Sequence, residues 1–73
     1  MQLGPRLREL RLAAGLSQEQ AAAAAGIPQA MWSGYELDKR WPGRDMMEAL
    51  ARGVGVEPAE LLRPVGSKVP AKR

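Results

Sequence analysis

Gly15-Leu16-Ser17-Gln18-Glu19-Gln20-Ala21-Ala22-Ala23-Ala24-Ala25-Gly26-Ile27-Pro28-Gln29 is the stretch whose reading decides the fold. Gly15 suits a helix end, because glycine adopts the left-handed C-cap conformation without a Cβ penalty. Ser17 and Gln20 have the spacing of a capping box: the hydroxyl accepts from the backbone N–H three residues on, and the Gln side chain reaches back. Five consecutive alanines then supply the best intrinsic helix propensity available. Gly26 ends that helix. Pro28 opens the next, where its missing N–H costs nothing. Two short helices joined by Gly26-Ile27-Pro28 make a tight helix-turn-helix.

The flanks extend the same pattern. Leu3, Leu7, Leu10 and Ala14 recur at spacings of three and four, which predicts a first helix over Leu3 to Ala14 with one apolar face. The third helix is expected from about Gln29 to Leu37, with Ile27, Trp32, Tyr35 and, in part, Met31 inward. Trp41-Pro42-Gly43 breaks the chain. A fourth helix is expected from about Arg44 to Gly53, with Met46, Met47, Leu50, Ala51 and Val54 as its apolar side. Glu57-Pro58 opens a last short helix with Leu61 and Leu62 as its buried pair, and Arg63-Pro64 stops it. No alternating β-branched stretch appears. The expectation is all-α: about five short helices in one domain over residues 1–63, followed by a basic, disordered tail over 64–73.

The counts exclude several functions. Seventy-three residues permit one small domain. Cys and His are absent, so disulfides, thiolate metal sites and the commonest catalytic nucleophiles and bases are missing. No Gly-rich phosphate cradle occurs. No enzyme activity and no cofactor are implied. No apolar run approaches the roughly 18 residues of a membrane span. The start, Met1 to Arg6, lacks the apolar centre of a signal peptide, so the expected setting is the cytoplasm.

The net charge of +3 conceals alternation. Residues 1–17 carry Arg6, Arg8 and Arg11 against Glu9. Residues 18–38 carry Glu19, Glu36 and Asp38 with no Lys or Arg. Lys39, Arg40 and Arg44 follow as a basic island, residues 45–62 are acidic, and Arg63, Lys68, Lys72 and Arg73 close the chain. Basic islands of this kind suit a polyanion without demanding one.

Across about sixty residues the chain resembles the Xre-type helix-turn-helix domain, the fold of the phage lambda repressor. The resembling stretches are Arg8-Glu9-Leu10-Arg11, Gly15-Leu16-Ser17-Gln18-Glu19, Ala22, Gly26-Ile27, Glu36, Lys39-Arg40, Pro42, and Leu50-Ala51 to Gly55-Val56 with Leu61-Leu62. The resemblance implies a transcription regulator whose third helix enters the major groove of double-stranded DNA, acting as a homodimer on a two-fold operator. It implies a phage-repressor-like switch, an antitoxin or a restriction–modification controller. Gln18 matches the position that contacts phosphate. Gln29 matches the first recognition-helix position, where Gln can pair with adenine. Ala30, Ser33 and Gly34 match the other groove-facing positions, and Lys39 and Arg40 the loop that grips phosphate. Arg6, Arg11 and Arg44 are further candidates for phosphate contact, and Glu36 is expected to pair with an Arg of the first helix.

The departures from the family are specific. Ala21 and Ala25 stand where larger aliphatic residues are usual, and Trp32 where Ile or Val is usual; the expectation is that the indole fills the space the alanines leave. Pro28 removes a side-chain cap. Asp38 replaces a turn Gly. The recognition helix carries no cation. These departures, the acidic 18–38 segment and an exposed Trp41 or Met31 support an alternative reading: a protein-binding module on the same scaffold, whose partner is RNA polymerase or another regulator. An exposed part of the last helix near Leu61 and Leu62 is the expected dimer contact.

Overall fold

In the computed structural model, which describes residues 3–70, four α-helices are followed by a short 3₁₀-helix. They are α1 (Leu3–Ala13), α2 (Gln18–Ala25), α3 (Gln29–Glu36), α4 (Arg44–Val54) and the 3₁₀-helix Pro58–Leu62. The fifth helical element of the sequence reading is therefore this 3₁₀ turn, and no strand occurs among the described residues.

The capping box is complete: Ser17 Oγ accepts from the Gln20 N–H at 3.0 Å, and Gln20 Oε1 accepts from the Ser17 N–H at 2.9 Å. Pro28 leaves α3 without a side-chain cap. All four α-helices end the same way. The backbone N–H groups of Leu16, Ile27, Lys39 and Val56 return to carbonyls five residues back, the paired-bond ending that a left-handed residue permits. Gly15, Gly26 and Gly55 supply that residue in three cases, so α4 runs past Gly53 to Val54. In the fourth it is Asp38, at φ 58°. Its carboxylate accepts from the Gly4 N–H at 2.8 Å. The strain of a non-glycine residue there is offset by satisfying an otherwise free donor at the start of α1.

The core lies between α1, α2, α3 and α4: Leu3, Leu7, Leu10, Ala21, Ala22, Ala25, Trp32, Tyr35, Leu50, Ala51, Val54 and Leu61 are buried. Trp32 is wholly enclosed. The backbone comes close to it as well, since a Cβ on Gly53 would lie 2.9 Å from the indole Cζ3 and 2.8 Å from the Ala21 carbonyl oxygen. Gly53 therefore lies against the indole, with the Ala21 carbonyl beside it. Ala21 is one of the two small residues the sequence marks; Gly53 reads there as a helix end.

Three expectations change. Leu61 is buried but Leu62 is about half exposed, so they are not a buried pair. Arg6 and Arg11 are buried, not presented to solvent. The segment after Arg63 is docked, at least to Pro70, where a disordered tail was expected. Arg6 reaches it from below: Nη1 donates to the Ser67 carbonyl at 3.1 Å and to Glu9 at 2.8 Å, Nη2 donates to Glu60 at 3.3 Å and the Lys68 carbonyl at 3.4 Å, and Nε donates to the Glu60 carbonyl at 3.0 Å. Gly66 N–H donates back to Glu9, and Val69 packs on the core. A buried guanidinium needs its donors satisfied, and the chain after Pro64 provides two of the acceptors. Lys72 and Arg73 lie outside the described residues.

Candidate nucleic-acid interface

The two faces of α3 are chemically opposite. Trp32, Tyr35 and Glu36 point inward. Gln29 and Ala30 are exposed, and Ser33 and Gly34 are half-buried. The inward face is held by one carboxylate. Glu36 accepts from Arg11 Nε at 2.5 Å and Nη2 at 3.2 Å, from Trp32 Nε1 at 2.6 Å, and from Gln18 Nε2 at 3.0 Å. Arg11 also donates to the Leu16 carbonyl at 2.9 Å. Burial pushes the Glu36 carboxyl up, but the hydrogen bonds from Arg11, Trp32 and Gln18 and the Arg11 charge outweigh it and hold the group below its ordinary value. One residue thereby joins α1, the start of α2 and the core of α3. No buried side-chain polar atom among the described residues lacks a partner.

This network rearranges the charge that the sequence displays. Of the three acids between residues 18 and 38, Glu36 is neutralised by Arg11 and Asp38 caps α1. Glu19 remains in the open. The acidic character of the segment is largely internal. The first basic island shrinks likewise: Arg6 and Arg11 are buried in ion pairs, and Arg8 alone of the three is exposed. Arg63 pairs with Glu60. Lys39, Arg40 and Arg44 are exposed, and no carboxylate pairs with any of them among the described residues.

The expected site residues fall into three groups. Gln18 is the first residue of α2 and is half-buried, tied by one amide N–H to Glu36. Gln29, Ala30, Ser33 and Gly34 share the outward face of α3. Lys39 and Arg40 follow directly. They are drawn back toward the helix by the bond from the Lys39 N–H to the Gly34 carbonyl at 2.9 Å. The Arg40 side chain lies beside Gly34: a Cβ there would be 3.4 Å from Arg40 Cδ and 3.6 Å from Nε. Sequence reasoning placed Arg40 in the loop and missed this contact. Of the two residues expected to be exposed, Trp41 is, whereas Met31 is half-buried against the core.

A helix-turn-helix domain model matches residues 2–63. The chain belongs to the helix-turn-helix domain family. Its relatives agree with the Xre-type resemblance. Over 47 residues, 64% of this chain, it is 43% identical to the uncharacterized HTH-type transcriptional regulator YobD of Bacillus subtilis (strain 168). Those residues cover 42% of that relative, so the chain spans less than half its length. Among solved structures, the restriction-modification controller protein C.AhdI of Aeromonas hydrophila is similar with a TM-score of 0.78 and 40% identity, over 82% of this chain and 91% of that one. No helix among the described residues is long and apolar enough to cross a membrane, and no cluster of metal-ligating side chains occurs among them.

Proposed function

We propose that this chain is a small sequence-specific DNA-binding transcription regulator that lays α3 in the major groove as a homodimer. The observation that carries the reading is the pairing of a face of short side chains on α3 with adjacent unpaired cations at Lys39 and Arg40. Short side chains let the helix approach base edges closely. Exposed, unpaired Lys39 and Arg44 supply the phosphate contacts on which affinity rests. Gln29, at the first turn of α3, is placed to pair with adenine. The start of α2, with Gln18 held by Glu36, offers amide donors to the backbone. Two copies would address half-sites about 34 Å apart. The names of its relatives, a transcriptional regulator and a restriction-modification controller, support a regulatory role.

Selection from a pool of random duplexes tests this. The reading expects a two-fold site with an adenine whose replacement weakens binding of the native protein but not of Gln29→Ala. Recovery of unenriched sequence would contradict it.

One observation favours a second reading, a protein-binding module. Leu12 and Leu37 are exposed and line a shallow groove between α1 and α3 with Arg8. If Leu37→Ser abolishes regulation in cells while DNA binding in vitro is untouched, a protein partner uses that groove.

A further inference from the structure

Arg40 sits where a phosphate-gripping loop residue would not need to be. Its stem does not extend away from α3 but lies over Gly34, with Cδ, Nε and Cγ 3.4, 3.6 and 3.7 Å from the place a Cβ would take. Gly34 is half-buried for that reason while its neighbour Ala30 is exposed. The arrangement is built: the left-handed Asp38 and the bond from Lys39 N–H to the Gly34 carbonyl fold the chain back onto the helix. Arg40 has no ion pair and no side-chain hydrogen bond among the described residues, so its guanidinium is uncommitted.

The outward face of α3 also has a specific gap. Gln29 suits adenine, Ser33 offers one small hydroxyl, and Ala30 and Gly34 offer no polar group. Nothing on the helix itself presents the two parallel donors that match the O6 and N7 acceptors of guanine, a task that falls most often to Arg. The geometry points to Arg40 as that reader: an arginine from the loop, seated in the notch left by Gly34, serves as a specificity-determining residue toward guanine and not as a phosphate clamp. The inference rests on the DNA-binding reading above and adds the base and the residue.

The test uses the duplex site selected with the native protein and its full set of single base-pair replacements, titrated with the native chain, Arg40→Ala and Lys39→Ala at several salt concentrations. Arg40 is exposed and unpaired, so its removal leaves the fold intact, which circular dichroism checks. The expected result is that Arg40→Ala erases discrimination of about 10- to 100-fold at one G·C pair of each half-site and leaves the salt slope nearly unchanged. Lys39→Ala should instead weaken all sequences alike and flatten the slope. Equal weakening of every duplex by Arg40→Ala, with a flatter slope, would make it a phosphate contact and overturn the inference. If the native chain selects no sequence at all, the DNA-binding reading falls and the inference with it.

Discussion

The two faces of α3 differ in how many partners hold each residue. On the inner face, Glu36 alone receives four hydrogen bonds from three side chains, and Trp32 is fully enclosed. On the outer face, Gln29 and Ala30 are exposed, and Gly34 is covered by a side chain from outside the helix. The difference separates two jobs. The inner face fixes where α3 sits relative to α1 and α2. The outer face is left free of structural duty, so its residues can change at little cost to the fold.

The largest effect should come from breaking the inner face. Glu36→Ala leaves a buried guanidinium and a buried indole N–H without their acceptor, and removing one partner of a buried pair costs about 3–5 kcal/mol. For a 73-residue chain that is a large share of its stability. Urea unfolding measures it; a loss below about 1 kcal/mol would show that the network is not what holds α3. Next, Gly53→Ala forces a methyl group against the Ala21 carbonyl and the indole. Overpacking of this kind costs about 1–3 kcal/mol, although Ala is the better helix former. A neutral outcome in thermal melts would mean that the Trp32 pocket yields.

Acid should act on the inner face as well. The folded-state value of Glu36 lies below its ordinary 4.5, so its stabilisation is fully present above that pH and is lost as pH falls through the lower folded value. Glu9, lowered chiefly by the hydrogen bond from Arg6, contributes in the same direction. Melting temperature should therefore drop below pH 4.5, and Glu36→Gln should show a shallower acid limb than the native chain. An unchanged limb would place the acid sensitivity elsewhere. The smallest effects belong to the outer face: Ala30→Ser and Ser33→Ala should each alter stability by no more than about 0.5 kcal/mol, while duplex binding by the same variants shifts. Stability losses like those of the inner face would erase the distinction.

The sequence made the inner face legible and the outer face less so. Apolar spacing and the Ser17–Gln20 capping box placed the helices to within a residue or two. The buried role of Arg6 was present in its spacing from Leu3 and Leu10, but an arginine on an apolar stripe reads as solvent-facing until its acceptors are known, and all but Glu9 come from residues 60–68. The docked segment after Pro64 was hidden for the same reason: its own composition has little to bury, and the contacts that hold it start from Arg6. Charge by segment overstated both the acidity of α2–α3 and the basicity of α1, because pairing between Arg11 and Glu36 crosses 25 positions. The position of Arg40 over Gly34 depends on a left-handed Asp38, which no residue count reveals.

The central claim, that the outer face of α3 and the cations beside it bind DNA, is tested most directly by titrating a labelled duplex with the native chain and following anisotropy at several salt concentrations. Lys39 and Arg44 from two copies supply about four phosphate contacts, so the logarithm of affinity should fall with the logarithm of salt at a slope of about −3.6. No binding even at low salt would contradict the account and leave the helix-turn-helix as a scaffold for a protein partner.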